Sequence, residues 1–330
     1  MHRKQKLQET EPASSSGKLW VITDGKAGDE AQCIGVAEAV GLPFEVKKVS
    51  PRKPFSWFMP RGPIDPADAP TKPDSPITPP YPDVAVASGR RSIPYLRAVK
   101  KLSGGKTLTV CLKDPRVGTG AADLIWVPSH DKLRGENVLV SPTAPHRFSQ
   151  ERLNEARQNV WPEIAALPRP RLAVLVGGNS QHHTFTHADI DRFANALDQI
   201  GTTWSLMITS SRRTPEPLAV RLKSLAAQGR HLYWEGDGPN PLLQYLANAD
   251  GIVVTTDSTN MVGEATATGM PIYGFSPSGG HKKFDLFLGT LREMNILHPF
   301  PGVLEGTTYE PLDSTPVIAQ AIRERMQHHH

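Results

Sequence analysis

Short apolar runs alternate along the chain with longer stretches whose apolar positions recur every three or four residues. Leu19-Trp-Val-Ile-Thr23 is the first run, followed by the turn Asp24-Gly-Lys-Ala-Gly28 and a helical stretch that ends at Gly41. Further runs follow at Glu45 to Val49, Val84 to Ala87, Thr107 to Leu112, Leu124 to Val127 and Val138 to Val140. Uninterrupted apolar runs flanked by amphipathic helices suit strands buried on both faces, so the pattern predicts a parallel α/β sheet.

The rhythm breaks from about Ser149 to Pro170, which reads as one helix and then the Pro-rich junction Ala-Leu-Pro-Arg-Pro170. It restarts at Leu172 to Val176 and continues through strands at Trp204 to Thr209, Leu232 to Trp234, Ile252 to Thr255 and Pro271 to Phe275. Helices are expected between them, then over about Lys283 to Met294 and Pro316 to Met326. The expectation is an α/β protein of two Rossmann-like domains facing across a cleft. A tail over 1–17 precedes an N-terminal domain over 18–166. A C-terminal domain over 167–315 precedes a terminal helix within 316–330. Ligand belongs in the cleft, at the carboxyl ends of the strands.

Composition narrows the classes. With 38% apolar and 21% charged residues in 330, the chain can bury a sizeable core. No apolar run reaches the ~18 residues of a membrane span. The two cysteines, Cys33 and Cys111, exclude a disulfide framework or a cysteine metal cluster and point to a reducing cytoplasm. The net charge of +4 is too small to argue for nucleic acid, but it divides as +6 over 1–165 and −2 over 166–330. An anionic partner on the first half, such as a phosphorylated lipid or membrane surface, is one reading; ordinary surface lysines are the other.

Residues 51–82 hold 11 prolines in 32 positions, too many for interior helix or strand. Phe55-Ser-Trp-Phe-Met59 lies among Arg52, Lys53 and Arg61. Such a cluster either packs on its own domain or forms a membrane-surface wedge over 51–61.

The motifs favour anion binding over redox chemistry. Gly25 and Gly28 are spaced G-x-x-G, not G-x-G-x-x-G, and a P-loop is absent, so no cofactor is expected. The D-x-D at Asp189 and Asp191 opens a helix, where acids suit the dipole, and no metal is expected. Gly177-Gly-Asn179-Ser180 follows a strand and offers backbone N–H groups and a hydroxyl. Ser211-Arg212-Arg213 follows the next strand, and two arginines there can clamp a diphosphate. The richest segment is Thr255-Thr-Asp257-Ser258-Thr259-Asn260-Met261, which opens a helix carrying Glu264 and ends at Gly269. Its hydroxyl-rich start suits an anion, and Glu264 suits vicinal sugar hydroxyls; an ordinary helical glutamate is the plainer reading.

The series Ser258-x-x-Met261-x-x-Glu264-x-x-x-x-Gly269-x-Pro271 resembles the donor-nucleotide motif of GT-B-fold glycosyltransferases. More narrowly, the chain resembles the bacterial branch of the mitochondrial fission ELM family. The matching pieces are Thr23 to Gly28 with Gln32, Ser88-Gly-Arg90-Arg91, Gly177 to Ser180, Ser211 to Pro215, Asn240-Pro241 with Ala249-Asp250, and Thr256 to Ser258 with Met261 and Glu264. The resemblance implies transfer of a sugar from a nucleotide-diphosphate sugar without a metal, and a terminal helix that returns to the first domain. Gly177, Gly178, Asn179, Ser180, Ser211, Arg212, Arg213 and Asp257 to Met261 with Glu264 would hold the donor. Lys26, Gly28, Arg90 and Arg91 would hold the acceptor, with Asp24 or Asp29 as base. The implied acceptor is an anionic glycolipid, a lipopolysaccharide or lipooligosaccharide core, on the cytoplasmic face of the inner membrane. A non-catalytic recruitment module and a nucleotide-sugar epimerase on the same fold are the alternatives.

Overall fold

The apolar runs become the strands of two six-stranded sheets in a computed structural model that describes residues 17–329. The tail expected over 1–17 lies outside the described residues but for Gly17. The first sheet contains β1 (Leu19–Thr23), β2 (Phe44–Lys48), β3 (Val84–Ser88), β4 (Leu108–Leu112), β5 (Leu124–Pro128) and β6 (Val138–Ser141). Their spatial order is β2-β1-β3-β4-β5-β6, and every pair is parallel. The second half contains β7 (Arg171–Leu175), the short β8 (His183–Thr184), β9 (Ser205–Thr209), β10 (Leu232–Trp234), β11 (Gly251–Thr255), β12 (Ile272–Phe275), the short β13 (Ser278–Gly279) and β14 (Leu297–Phe300). Its main sheet runs β10-β9-β7-β11-β12-β14, again all parallel, while β8 and β13 pair as a small antiparallel ribbon. The central strands β1, β3, β4, β7, β9 and β11 are buried along their whole length, as helices on both faces require.

The chain crosses between halves earlier than the junction expected at 167–171. The helix Gln150–Gln158 and the turn Pro162–Ala165 bury Leu153, Ala156 and Ile164 in the core of the second half, so that half begins near 150. The single helix expected there is two, because Pro162 has no N–H with which to continue the first. The terminal helix Thr315–His328 returns to the first half, burying Ile318, Ala319 and Ile322 beside Leu19 and Val36. The two crossings are laced together: Thr315 Oγ1 accepts from the His146 N–H (2.9 Å) and donates to its carbonyl (3.0 Å), and Ser314 Oγ donates to the Thr143 carbonyl (2.6 Å).

The proline-rich segment 51–82 is held on the first domain. Met59 and Ile77 are buried with Trp20 and Tyr95. Buried Asp65 accepts from the Arg52 Nε (2.8 Å), Nη2 (2.7 Å) and backbone N–H (3.0 Å) and from the Ala67 N–H (2.9 Å). Those donors hold its carboxyl well below the usual carboxylate range. The segment is thus anchored on its domain at a few buried residues, and of its large apolar side chains Trp57 and Phe58, 64% and 65% exposed, stand out. No helix among the described residues is long and apolar enough to cross a membrane.

Two helical glycines separate packing from propensity. A Cβ on Gly35 would lie 2.5 Å from the His146 carbonyl oxygen, whereas one on Gly289 would meet nothing within 4 Å. Gly289→Ala should stabilise by about 0.5–1 kcal/mol. Gly35→Ala should lose about 1–3 kcal/mol, because overpacking against backbone exceeds the same propensity gain. Thermal denaturation of both variants checks the opposite signs.

Candidate functional site

Each main sheet reverses its order of addition once, between β1 and β3 in the first half and between β7 and β11 in the second. Loops at such switch points diverge and leave a crevice at the carboxyl edge. The residues singled out from the sequence fall largely on these four loops.

At the first switch point, the Asp24 and Asp29 side chains both approach Gly89. A Cβ there would sit 3.1 Å from one Asp29 oxygen and 3.8 Å from an Asp24 oxygen, and a φ of 89° strongly favours glycine. Asp29 accepts from Ser88 Oγ (3.3 Å) and is ion-paired with Lys113. Asp24 differs. Its side chain is 1% exposed, neither oxygen has a hydrogen-bond donor, and Lys26 Nζ stands 3.7 Å away. Lys113, unremarked in the sequence, has a left-handed backbone (φ 82°), a strain seen where surrounding structure imposes it. The expected acceptor group divides: Gly28 faces the other domain, Lys26 and Arg91 are exposed, and Arg90 Nη2 donates to the Ser56 carbonyl (3.1 Å).

At the second switch point a buried carboxylate organises the loops. The Asp257 side chain is 0% exposed. It accepts from the Gly178 N–H (3.0 Å), Thr255 Oγ1 (2.7 Å) and Arg213 Nη2 (3.0 Å). Gly177 and Gly178 are glycines because of close approach: a Cβ would lie 2.3 Å from Asp257 oxygens at the first and 1.9 Å from the Arg213 carbonyl oxygen at the second. Arg213 also donates to the Asn179 carbonyl (3.1 Å). One expectation is therefore corrected: the Asp257 carboxylate has no surface for a ligand and positions the loop instead. Arg213, 44% exposed, shares its guanidinium between Asp257 and the loop carbonyls. Exposed Arg212 has no polar partner among the described residues.

The hydroxyls are also partly occupied. Ser258 Oγ accepts from the Met261 N–H (3.4 Å) and so caps the helix Thr259–Thr266. Ser180 Oγ accepts from the His182 and His183 N–H groups, and Ser211 Oγ from the Arg213 N–H. Asn179 Oδ1 accepts from the Phe185 N–H (2.8 Å). Met261 packs against the apolar core. Asp189 closes a capping box with Thr186, and Asp191 pairs with Arg221, so the D-x-D has local partners. Among the described residues, no three His, Cys, Asp or Glu converge as a metal site.

Thr259, Asn260 and Glu264 face the other domain. Asn260 Oδ1 accepts from Gln32 Nε2 (3.0 Å), and a Cβ on Gly28 would lie 2.4 Å from Asn260 Nδ2. Glu264 lines a cavity of about 190 Å³ with Gly28, Gln32, Phe148, Asn240 and Leu242. Its half-buried carboxylate has no donor among the described residues, and desolvation pushes it up to about 7. A neighbouring cavity of about 200 Å³ shares Gln32, Ala144 and Asn260 and adds Lys113, Trp126, His130, Asp131 and Lys283. There Asp131 is ion-paired across the cleft with Lys283 (2.5 Å), and His130 Nδ1 is buried without a partner. Burial holds the His130 imidazole below the ordinary histidine range, opposed by Asp131. No sequence motif marks these groups. Their one signal was position, since each follows the end of a strand or opens a helix.

The mitochondrial fission ELM1 family profile matches residues 27–326. The chain belongs to this family. It is 27% identical over 274 residues to the mitochondrial fission protein ELM1 of Arabidopsis thaliana, a match covering 74% of this chain and 64% of the relative. It is 26% identical over 281 residues to the RP120 protein of Rickettsia prowazekii, covering 73% and 79%. Among solved structures, UDP-GlcNAc 2-epimerase from Neisseria meningitidis bound to UDP-GlcNAc superposes with a TM-score of 0.53 at 11% identity over 94% of this chain and 100% of that one. A UDP-glucosyltransferase from Polygonum tinctorium gives 0.50 at 11% identity over 96% and 94%. The ELM1-family chain thus has the GT-B arrangement: two Rossmann-like domains facing across a cleft.

The loop architecture is testable through Asp257. Asp257→Asn turns one acceptor into a donor facing the Gly178 N–H and the Arg213 guanidinium. It should lose about 2–4 kcal/mol of stability, measured by urea unfolding.

Proposed function

We propose that this ELM1-family protein transfers a sugar from a nucleoside-diphosphate sugar to an acceptor hydroxyl, with the donor on the second domain and an anionic acceptor on the first. The observation that carries the reading is Glu264. A carboxylate without a donor in a cavity between domains is costly to keep. Vicinal ribose hydroxyls would supply the missing donors. The N-terminus of the helix Thr259–Thr266 and the exposed Arg212 lie on the same domain and suit the diphosphate. As the glycosidic bond breaks, negative charge grows on the leaving diphosphate, and these fixed donors stabilise it. On the acceptor side Asp24 is the better base, because Asp29 is already neutralised by Lys113.

The rival reading is epimerisation of the nucleotide sugar. It is favoured by Lys113, His130, Asp131 and Lys283 lining one cavity, so that acid and base groups face a common space. Incubation with UDP-GlcNAc alone separates the two: epimerisation needs no acceptor, whereas transfer does.

Glu264 gives a signed pH test. Its folded-state value, about 7, lies above the ordinary 4.5. Ionising it costs stability progressively as pH rises from 4.5 to 7, and the cost then stays constant. Glu264→Gln should therefore raise the stability of the ligand-free protein at pH 8 by about 1–3 kcal/mol and leave it unchanged near pH 4. The same variant should bind UDP about 10–100-fold more weakly at pH 8, since a charged hydrogen bond is worth about 1.5–3 kcal/mol. Wild-type affinity should rise between pH 6 and 8 as the carboxylate ionises, and the variant should lose that rise. Calorimetric titration with UDP reads both effects. Equal UDP affinity of the two proteins would remove Glu264 from the donor site.

A further inference from the structure

The cleft continues beyond the reacting region into two connected cavities on the first domain. The inner one, about 350 Å³, is lined by Lys26, Arg90, Lys113 and Arg116 and reaches Asp131 and Lys283. The outer one, an open groove of about 720 Å³, is lined by the chain from Trp57 to Pro63. Pro60, Arg90 and Arg116 line both. The inner cavity likewise shares Lys113, Asp131 and Lys283 with the interdomain cavity, so the space runs on toward Glu264.

Polarity changes in steps along this path. At the outer lip, Trp57 and Phe58 are 64% and 65% exposed on the one-turn helix Phe55–Phe58. They are held rigidly outward: Met59 beside them is buried, the Arg52–Asp65 ion pair fixes the segment, and Arg90 bonds the Ser56 carbonyl. Two large aromatics held in water on a braced base form an exposed apolar patch that calls for a partner. Further in, the charges are uneven. Lys113 is paired with Asp29 and Lys283 with Asp131, but Arg90 and Arg116 form no ion pair among the described residues. Asp114 also lines this cavity but accepts from the Arg116 backbone N–H (2.7 Å) and not from its guanidinium. Two guanidinium groups not ion-paired to a carboxylate match the several oxygens of a phosphate better than a single carboxylate.

We propose that the connected cavities bind an amphiphile whose phosphate monoester lies between Arg90 and Arg116 and whose apolar chains pass over Trp57 and Phe58 into a bilayer. The inference deepens the acceptor side of the transfer reading and rests on that reading only for the direction of the head group, toward Lys113. The binding itself is independent of turnover.

Co-sedimentation with vesicles tests it. Wild-type protein should bind phosphatidylcholine vesicles containing phosphatidic acid at least tenfold more tightly than phosphatidylcholine alone. It should also prefer them to phosphatidylserine vesicles of matched charge. Arg116→Gln should abolish the preference for phosphatidic acid, and Trp57→Ser with Phe58→Ser should weaken binding to it at least fivefold. Both replaced regions are at the surface, and unchanged melting temperatures confirm that folding is intact. Millimolar inorganic phosphate should not displace the protein if the apolar chains contribute; full displacement would assign the site to free phosphate and overturn the lipid proposal. Equal binding to both anionic lipids, insensitive to Arg116→Gln, would mean general attraction to a charged surface and would also overturn it. Glu264→Gln should bind vesicles like wild type, and the aromatic variant should bind UDP like wild type. Failure of one half therefore leaves a result for the other.

Discussion

Asp257 sits at the end of a central strand with no access to water, and the donor end of the cleft is arranged around its carboxylate. An ionised group so placed must be met by donors from the protein itself, and three different segments provide them. Meeting that demand draws the Gly177-Gly178 turn so close that any side chain there would overlap. It also turns the Arg213 guanidinium inward, where it reaches the Asn179 carbonyl. Two loops that leave different strands thereby become one rigid surface.

Glu264 stands a few residues further along and shows the opposite economy. It is only half-buried, yet no group of the protein among the described residues answers it. The two carboxylates share a segment, so their difference is one of partners. A satisfied buried charge builds the scaffold, while an unsatisfied one facing a cavity stores a preference for a ligand that brings donors. Across the cleft the polar ties named here are few: Gln32 to Asn260 and Asp131 to Lys283. Both involve polar tips, unlike the buried lacing of the two crossings near His146 and Thr315. Opening and closing of the domains would break the tips and keep the lacing.

The sheets were legible because parallel strands buried on both faces need apolar runs, and little else in a chain produces them. The runs at Leu19 and Leu172 opened their sheets as expected. The strand Leu297–Phe300 was missed because Pro299 reads as a loop; it lies at a sheet edge, where a missing N–H costs little. The ribbon of β8 and β13 has too few residues to show a period. At the site, the motifs located the loops but not the roles within them. A run of Arg212-Arg213 looks symmetrical in sequence, and only the position of Asp257 separates the ion-paired arginine from its neighbour. Lys113, Asp131 and Lys283 were invisible for a related reason: an ion pair between distant segments leaves no spacing to read.

The proline-rich segment shows how a stiff connection can be anchored on a domain and still leave two aromatics exposed. Prolines remove backbone donors and fix local conformation, so a long connection can be stiff without belonging to a sheet. Here a single buried carboxylate, Asp65, gathers the segment by accepting from Arg52 and Ala67, and Met59 and Ile77 seat it on the domain. Once the base is fixed, the alternation of side chains around one helical turn decides the rest. Ser56 and Met59 face the domain, and Trp57 and Phe58 between them face away. A loosely tethered segment would fold its aromatics back onto apolar surface, because water penalises their exposure. A braced one cannot. The exposure of Trp57 and Phe58 is therefore a consequence of the same packing that seats the segment on its domain.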